Sequence, residues 1–215
     1  SRIAVLASGR GSNLQAILNA IAEGCLDADV VGVFSDKPDA PALQRVAAQR
    51  RWSSRPADHP DRVHYEQALG DALEACAADW ILCAGYMRIL GPALVARFAG
   101  RMINIHPSLL PRHKGLHTHQ QALDAGDSEH GASVHFVVSE LDAGNVLAQA
   151  RVAVHEDDDA QTLAERVLRV EHPLLVASTA LLCSGRVAER DGQILLDGHT
   201  LFKPLTLDSA SRLLS

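Results

Sequence analysis

The stretch of residues 3–14, IAVLASGRGSNL, contains the clearest fold signal of the sequence. Its first part, Ile3 to Ala7, is a short apolar run typical of a buried strand, and it passes directly into a turn with two glycines. Beyond the turn, apolar residues recur at the spacing of one helix face: Leu14, Ile17, Leu18 and Ile21. A strand that turns through glycines into a helix is typical of the first unit of an α/β sheet.

The same alternation of strand and helix continues as far as residue 105. Further apolar runs have the length of buried strands: Val30 to Phe34, Trp80 to Ala84 and Met102 to Ile105. A second helical stripe lies between them: Tyr65, Leu69, Ala72, Leu73 and Cys76. Because such alternation implies right-handed βαβ crossovers, we predict a doubly wound, mostly parallel sheet.

Downstream, the pattern changes from about residue 132. The predicted elements are strands at residues 132–138 and 146–154, a helix from Thr162 to Leu182 and a strand from Gln193 to Leu196. The turn-rich segment 141–145 separates the first two of these strands, which predicts an antiparallel extension of the sheet. Since no repeat or linker divides the chain, the sequence predicts one α/β, Rossmann-like domain over residues 1–215.

Composition excludes several classes of protein. Hydrophobic residues make up 47% of the chain and charged residues 21%, which are ordinary globular values. No run of 18 apolar residues and no secretory signal occurs, so we expect a soluble, cytoplasmic protein without a membrane partner. The net charge is −6 and the basic residues are scattered, so nucleic acid is not an expected partner. A small anionic ligand remains compatible with this charge, because a few local donors bind one phosphate.

The glycine turn, SGRGSN at residues 8–13, is the first candidate site. Glycines let the backbone approach a ligand, and the start of a helix presents unpaired amides, so this turn predicts a phosphate site. A dinucleotide site is an alternative, with Asp36 in the place of a ribose-binding acid, but Leu14 stands where that fingerprint needs its third glycine. The other alternative is a plain helix start capped by Ser12 or Asn13.

The second candidate site is NIHPSLLP, residues 104–111, at the carboxyl end of a predicted buried strand. Ligands of open α/β sheets bind at that edge. Asn104 and His106 are two residues apart, so an extended strand directs an amide and an imidazole to the same side. A hydrogen-bonded structural histidine is the alternative. The turn-rich residues that follow, as far as residue 119, suggest a loop that covers a ligand.

The third candidate is Asp142, in the turn LDAG at residues 141–144. On its own it is more typical of a turn aspartate. Close to His106 its carboxylate would favour a charged imidazolium at neutral pH. His117 and His119 are also spaced as a metal pair, but two loop histidines without a third ligand are weak evidence, and we predict no metal site.

These motifs together resemble the folate-dependent glycinamide ribonucleotide formyltransferase family. The resemblance covers almost the whole chain, in the family's order and spacing, through the motifs SGRGSNL (8–14), GYMRIL (85–90), NIHPSLLP (104–111) and LDAG (141–144). It implies a formyl donor, 10-formyltetrahydrofolate, and an amine acceptor, glycinamide ribonucleotide. It also implies a phosphate-binding βαβ part over residues 1–106 and, over residues 107–215, folate-side loops, mixed strands and the C-terminal helix.

The resemblance also implies a role for individual residues. The catalytic set is Asn104, His106 and Asp142. The ribonucleotide contacts are Gly11, Ser12 and Asn13 on the phosphate and Glu171 on the ribose. The folate contacts are Arg62, Met87, Arg88, Ile89, Leu90, Asn104, Val138, Ser139 and Asp142. Ser139 departs from the acidic or apolar residue usual in the family, which puts one loop contact in doubt. Without the resemblance, Met87 to Leu90 would be interpreted as core packing at a strand exit.

The implied reaction needs hydrogen-bond donors and no metal ion. The amine attacks the formyl carbon, and Asn104 with a protonated His106 would stabilise the oxyanion while Asp142 relays the proton. The rivals are a formyltetrahydrofolate hydrolase, which typically has an extra N-terminal domain, and a transfer-RNA formyltransferase, which needs a basic C-terminal domain. A dinucleotide-binding oxidoreductase or binding module would leave Asn104 and Asp142 without a role. We expect a monomer or a homodimer.

Overall fold

The computed structural model describes residues 1–215, which form two compact units, Ser1–Asn104 and Ile105–Ser215. A single domain over the whole chain therefore stays a prediction. None of the helices is long and apolar enough to cross a membrane.

The first unit is a parallel sheet with helices. Its strands are β1 (Arg2–Leu6), β2 (Asp29–Ser35), β3 (Arg51–Ser53), β4 (Trp80–Cys83) and β5 (Met102–His106), the last of which runs two residues beyond the unit. They lie in the order β3-β2-β1-β4-β5, and every neighbouring pair is parallel. The α-helices are α1 (Ser12–Ala22), α2 (Arg62–Ala75) and α3 (Pro92–Arg97), and 3₁₀ helices cover Pro41–Arg45, Ala48–Arg50 and Pro56–Asp58.

Burial explains why these residues form these elements. Ile3 to Leu6 of β1 are fully buried, as expected for a central strand of a parallel sheet with both faces covered. α1 buries Leu14 and Ile17 on one face, which is the stripe seen in the sequence. α2 begins after Asp61, whose carboxylate accepts a hydrogen bond from the amide of His64 at 2.9 Å.

The second unit combines antiparallel strands with one long helix. Its elements are α4 (Thr118–Asp124), β6 (Glu129–Phe136), β7 (Val146–Ala153), α5 (Ala160–Cys183), β8 (Val187–Arg190), β9 (Gln193–Leu196), β10 (His199–Thr200), β11 (Leu205–Leu207) and β12 (Leu213–Leu214). β6 pairs antiparallel with β7, β11 pairs parallel with β7, and β12 pairs antiparallel with β11. A separate antiparallel sheet has the order β10-β9-β8. α5 packs against β6 and β7.

The predicted fold class is confirmed: an α/β, mostly parallel sheet with an antiparallel extension. The predicted strands and the three long helices are present within a few residues of their expected bounds. Short elements were missed, and these are β3, α3, α4, β8 and the strands after residue 198. The residues as far as 119 were expected to form a loop, and they do so up to Thr118, where α4 begins.

Candidate functional site

The glycine turn of the first unit has a backbone that only glycine fits. Gly11 is the residue before α1 and adopts a left-handed conformation, with φ of 72°. A Cβ on Gly11 would lie 2.7 Å from the Cβ of Ala42, so a larger residue would be both strained and crowded. No side chain caps α1, and Ser12 and Asn13 lie inside the helix, so the alternative of a plain capped turn is wrong.

Hydrogen bonds hold the carbonyl groups of this turn. The carbonyl of Gly9 accepts from the amide of Ala42 at 3.1 Å, and the carbonyl of Arg10 accepts from Nε of Arg45 at 2.8 Å. The carbonyl of Gly11 accepts the first helical bond, from Gln15 at 2.9 Å. The first amides of a helix have no acceptor within the helix itself. The turn is therefore suited to an anion.

A second segment, Gly85 to Leu90, follows β4 in the same unit and is tied to the glycine turn by Ser8. The Ser8 amide donates to the carbonyl of Gly85 at 3.0 Å, and the amide of Met87 donates to Oγ of Ser8 at 2.9 Å. The Ser8 hydroxyl in turn donates to Oδ1 of Asp36 at 2.6 Å. These contacts join the ends of β1, β2 and β4.

The side chains of this segment are mostly exposed. Met87 is 61% exposed and Ile89 is 58% exposed, whereas Leu90 is buried. The interpretation as core packing is thus wrong for Met87 and Ile89 and correct for Leu90. Arg62 is exposed on α2 and donates through Nη2 to the carbonyl of Ile89 at 2.7 Å, and the guanidinium of Arg88 lies 5.7 Å from the Tyr65 ring centre. Exposed apolar side chains beside two guanidinium groups suit a flat, partly anionic ligand.

β5 carries Asn104 and His106, two residues apart near the carboxyl end of the strand. Asn104 is the only residue of β5 that is partly exposed. His106 is buried, with Nε2 donating to the carbonyl of His113 at 2.9 Å. Its Nδ1 lies 3.5 Å from Oδ2 of Asp142, so the structure brings together the two predicted residues of the second unit.

Asp142 is held in an unusual backbone conformation by its surroundings. Its φ is 49°, in the left-handed region, and its Oδ2 accepts from the amide of Gly115 at 2.9 Å. Its Oδ1 lies 3.6 Å from Nε2 of His135. Burial acts to raise the pKa of Asp142, but the contacts with His135 and Gly115 and the two imidazoles outweigh it, so the pKa is lowered. Asp142 is therefore a carboxylate at neutral pH.

His106 titrates in the opposite sense to our expectation. Burial lowers the pKa of His106, and the His113 carbonyl and the Asp142 charge, which raise it, do not compensate. The expectation that Asp142 keeps His106 protonated at neutral pH is thus wrong for the protein without ligands. The His106 and Asp142 pair contains a neutral imidazole and a carboxylate, so at neutral pH it is ready to accept a proton.

The segment between these residues contains further paired histidines. Nε2 of His113 donates to Oδ2 of Asp127 at 2.6 Å, and Nδ1 of His119 lies 3.1 Å from Nε2 of His130. Burial, followed by the neighbouring histidines, lowers the pKa of His130 to about 4. His113 has a positive φ of 55°, and its carbonyl and its side chain bond to different partners, His106 and Asp127. His113 and His135 were missed by sequence reasoning, because nothing in their spacing marks them.

The remaining predicted residues of the second unit are accessible. Val138 and Ser139 are exposed in the turn that follows β6, and Glu171 is partly exposed on α5. Gly144, in the same turn as Asp142, has no room for a side chain, because a Cβ would collide with the carbonyl oxygen of Phe136. The glycine of the LDAG motif therefore allows this turn to close against β6.

Comparisons with known proteins show the family to which the chain belongs. The chain matches the model of the formyl transferase family over residues 1–179. It is 43% identical over 201 residues to a phosphoribosylglycinamide formyltransferase of Escherichia coli, covering 93% of this chain and 95% of the relative. A phosphoribosylglycinamide formyltransferase structure from Coxiella burnetii has a TM-score of 0.87 at 40% identity, covering 93% of this chain and 95% of that one. A formyltetrahydrofolate deformylase structure from Pseudomonas syringae has a TM-score of 0.81 at 26% identity, covering 91% of this chain and 65% of that one.

Proposed function

The chain belongs to the formyl transferase family, and we propose that it is a phosphoribosylglycinamide formyltransferase of purine biosynthesis. It transfers the formyl group of 10-formyltetrahydrofolate to the amine of N1-(5-phospho-D-ribosyl)glycinamide, giving the N2-formyl product and tetrahydrofolate. The relatives that carry this name match nearly the full length of the chain.

The observation that carries the choice of transferase over deformylase is the glycine turn. The carbonyls of the turn accept hydrogen bonds from within the protein, and the left-handed Gly11 leads directly into the first amides of α1. The turn therefore suits the phosphate of a second substrate. A hydrolase needs only the folate and water. We propose that Gly11, Ser12 and Asn13 bind the phosphate and that Glu171 accepts hydrogen bonds from the ribose hydroxyls.

The folate is proposed to lie against the exposed segment after β4. Its proposed contacts are Arg62, Met87, Arg88, Ile89, Leu90, Asn104, Val138, Ser139 and Asp142. The exposure of Met87 and Ile89 and the nearby guanidinium groups of Arg62 and Arg88 support this assignment within the first unit. The folate is a co-substrate that leaves as tetrahydrofolate, and the mechanism proposed below uses no metal ion.

Catalysis is proposed to follow from the protonation states of His106 and Asp142 and from the amide of Asn104 as a hydrogen-bond donor. The substrate amine attacks the formyl carbon, forming a carbon–nitrogen bond and an oxyanion that the Asn104 amide stabilises by donating a hydrogen bond. The nitrogen that attacked becomes cationic and must lose a proton. Neutral His106 with carboxylate Asp142 accepts that proton, directly or through water.

The second half of the reaction uses the same proton. The bond between the formyl carbon and N10 of the folate breaks, and N10 leaves as an amine that needs a proton. The imidazolium formed on His106, stabilised by Asp142 at 3.5 Å, returns the proton to N10. The pair thus begins and ends in its proton-accepting state, so no net proton change is left on the enzyme.

A turnover assay tests the proposal. Release of tetrahydrofolate from 10-formyltetrahydrofolate is followed with and without the glycinamide ribonucleotide, and both formylated product and formate are quantified. We expect release only with the ribonucleotide, matched by the formylated product. A cytoplasmic location and a monomeric or homodimeric state stay predictions.

A further inference from the structure

We propose that Ser8 is a positioning residue for the folate, acting through the main chain of the Met87 to Leu90 segment. The proposal rests on the proposed function, since it assigns that segment to the folate. The proposed ligand contacts do not include Ser8, which is buried and whose hydroxyl bonds to residues that follow β2 and β4.

The two hydrogen bonds of the Ser8 hydroxyl fix its direction. A hydroxyl has one proton, and at 2.6 Å that proton goes to Oδ1 of Asp36, which is itself buried. A lone pair of Oγ of Ser8 then faces the amide of Met87, which donates a hydrogen bond to Oγ at 2.9 Å. Asp36 therefore selects the one rotation of the hydroxyl in which Oγ accepts from Met87.

Ser8 also holds the segment through its own main chain. Its amide donates to the carbonyl of Gly85 at 3.0 Å, so residues 85 and 87 are both fixed by this one residue. Gly85 has a positive φ of 81°, which marks the point where the chain turns away from β4. Ser8 anchors the start of the segment that carries the exposed side chains of Met87 and Ile89, and Arg62 holds the segment further along, at the carbonyl of Ile89.

The Ser8 hydroxyl should therefore matter for binding of the folate and not for binding of the ribonucleotide. The glycine turn is held from its other side, by Ala42 and Arg45 on the carbonyls of Gly9 and Arg10, and these bonds do not involve the Ser8 hydroxyl. Loss of the hydroxyl should release Met87 and leave the turn in place. Ser8 therefore stands in the phosphate-loop motif but acts on the folate.

The test compares Ser8→Ala with a matched control, Ser35→Ala. Ser35 is also a buried serine at a strand end, but its Oγ accepts from the amide of Lys37 at 3.1 Å and contacts neither ligand segment. Calorimetry with tetrahydrofolate and, separately, with the glycinamide ribonucleotide gives the affinities. Ser8→Ala should weaken tetrahydrofolate binding by about tenfold or more and ribonucleotide binding by less than about threefold. Ser35→Ala should leave both affinities within about twofold.

Two further variants keep the test decisive. Asp36→Asn retains an oxygen that accepts from Ser8, so it should keep tetrahydrofolate affinity within about threefold of the unaltered protein. If Ser8→Ala fails to fold because it buries the Asp36 carboxylate without its donor, the double variant Ser8→Ala with Asp36→Ala removes both partners and should show the same selective loss. In steady-state assays the loss should appear in KM for the folate more than in kcat.

The outcomes separate this inference from the proposed function. Unchanged tetrahydrofolate affinity in a folded Ser8 variant would overturn it, as would equal losses for both ligands, which indicate a purely structural role. Either result leaves formyl transfer by the unaltered protein intact. An unaltered protein that transfers no formyl group would instead remove the proposed function and this inference with it.

Discussion

The glycine turn of the first unit and the His106 and Asp142 pair of the second unit are built in different ways. The turn is defined by main-chain groups: a left-handed glycine, bonded carbonyls and the start of a helix. The pair is defined by side chains whose charges depend on burial, a carbonyl and each other. We therefore expect binding of the phosphate to depend on the backbone conformation of the turn, and turnover to depend on the protonation of the His106 and Asp142 pair.

The largest effect is expected from the pair. His106→Ala and Asp142→Ala should each lower kcat by about 10³-fold or more, because each removes a part of the proton acceptor. The double variant should lose little beyond the worse single variant, since the two residues act as one unit. Single-turnover kinetics on folded variants checks this, and losses that multiply would show that Asp142 does not act through His106.

The second-largest loss of kcat is expected from Asn104, which is not part of the His106 and Asp142 pair. Asn104→Ala should fold normally, because this position of β5 is only partly buried, yet lose about 10²–10³ in kcat if its amide donates to the oxyanion. Circular dichroism and turnover on the same preparation check the prediction. Near-normal kcat in a folded variant would remove Asn104 from the catalytic set.

A smaller effect is expected from the backbone of the turn. Gly11→Val should weaken ribonucleotide binding by about 30-fold or more, because the valine side chain meets Ala42 and resists a φ of 72°. Tetrahydrofolate affinity should change by only a few-fold. Gly24→Val is the matched control, since Gly24 has a φ of 74° with open space around it and lies at the other end of α1. Equal losses of both ligands in Gly11→Val would mean that the turn only supports the fold.

A separate effect, on stability and not on ligand binding, is a pH dependence that the turn should lack. The pKa of His130 is lowered to about 4 from an ordinary 6.5, so between these values the unfolded chain binds one more proton than the folded chain. Stability is therefore lost as pH falls from 6.5 to 4, with a slope of about 1.4 kcal/mol per pH unit from this group. The lowered pKa values of His106 and His119 act in the same direction.

Urea unfolding at several pH values measures this slope. His130→Gln should reduce the slope, because it removes the buried imidazole. An unchanged slope in His130→Gln would contradict the account of His130 as a histidine buried in its neutral form.

Local patterns made the two regions unequally predictable. The strand, glycine turn and helix at residues 3–22 could be predicted because each is marked by residues close together in the sequence: an apolar run, two glycines and an apolar stripe at helical spacing. β3, with three residues, and α3, with six, are too short for any period to show. The bond between Ser8 and Asp36 joins residues 28 apart, and no spacing rule marks such a contact.

The protonation state of His106 could not be predicted from the sequence, for a related reason. A nearby carboxylate could be expected from the motifs, and Asp142 does lie 3.5 Å away. The extent of burial, which decides the sign of the pKa change, depends on how the whole second unit packs. The closeness of His106 and Asp142 was therefore expected from the motifs, whereas the protonation state of His106 was not.

The dependence of folate turnover on the second substrate distinguishes a transferase from a deformylase. Purified protein is mixed with 10-formyltetrahydrofolate alone and then with the glycinamide ribonucleotide, and tetrahydrofolate, formate and formylated product are quantified over time. The glycine turn predicts negligible tetrahydrofolate release without the ribonucleotide and, after its addition, one formylated product for each tetrahydrofolate. Formate released at a comparable rate without the ribonucleotide would contradict the transferase assignment and favour a deformylase.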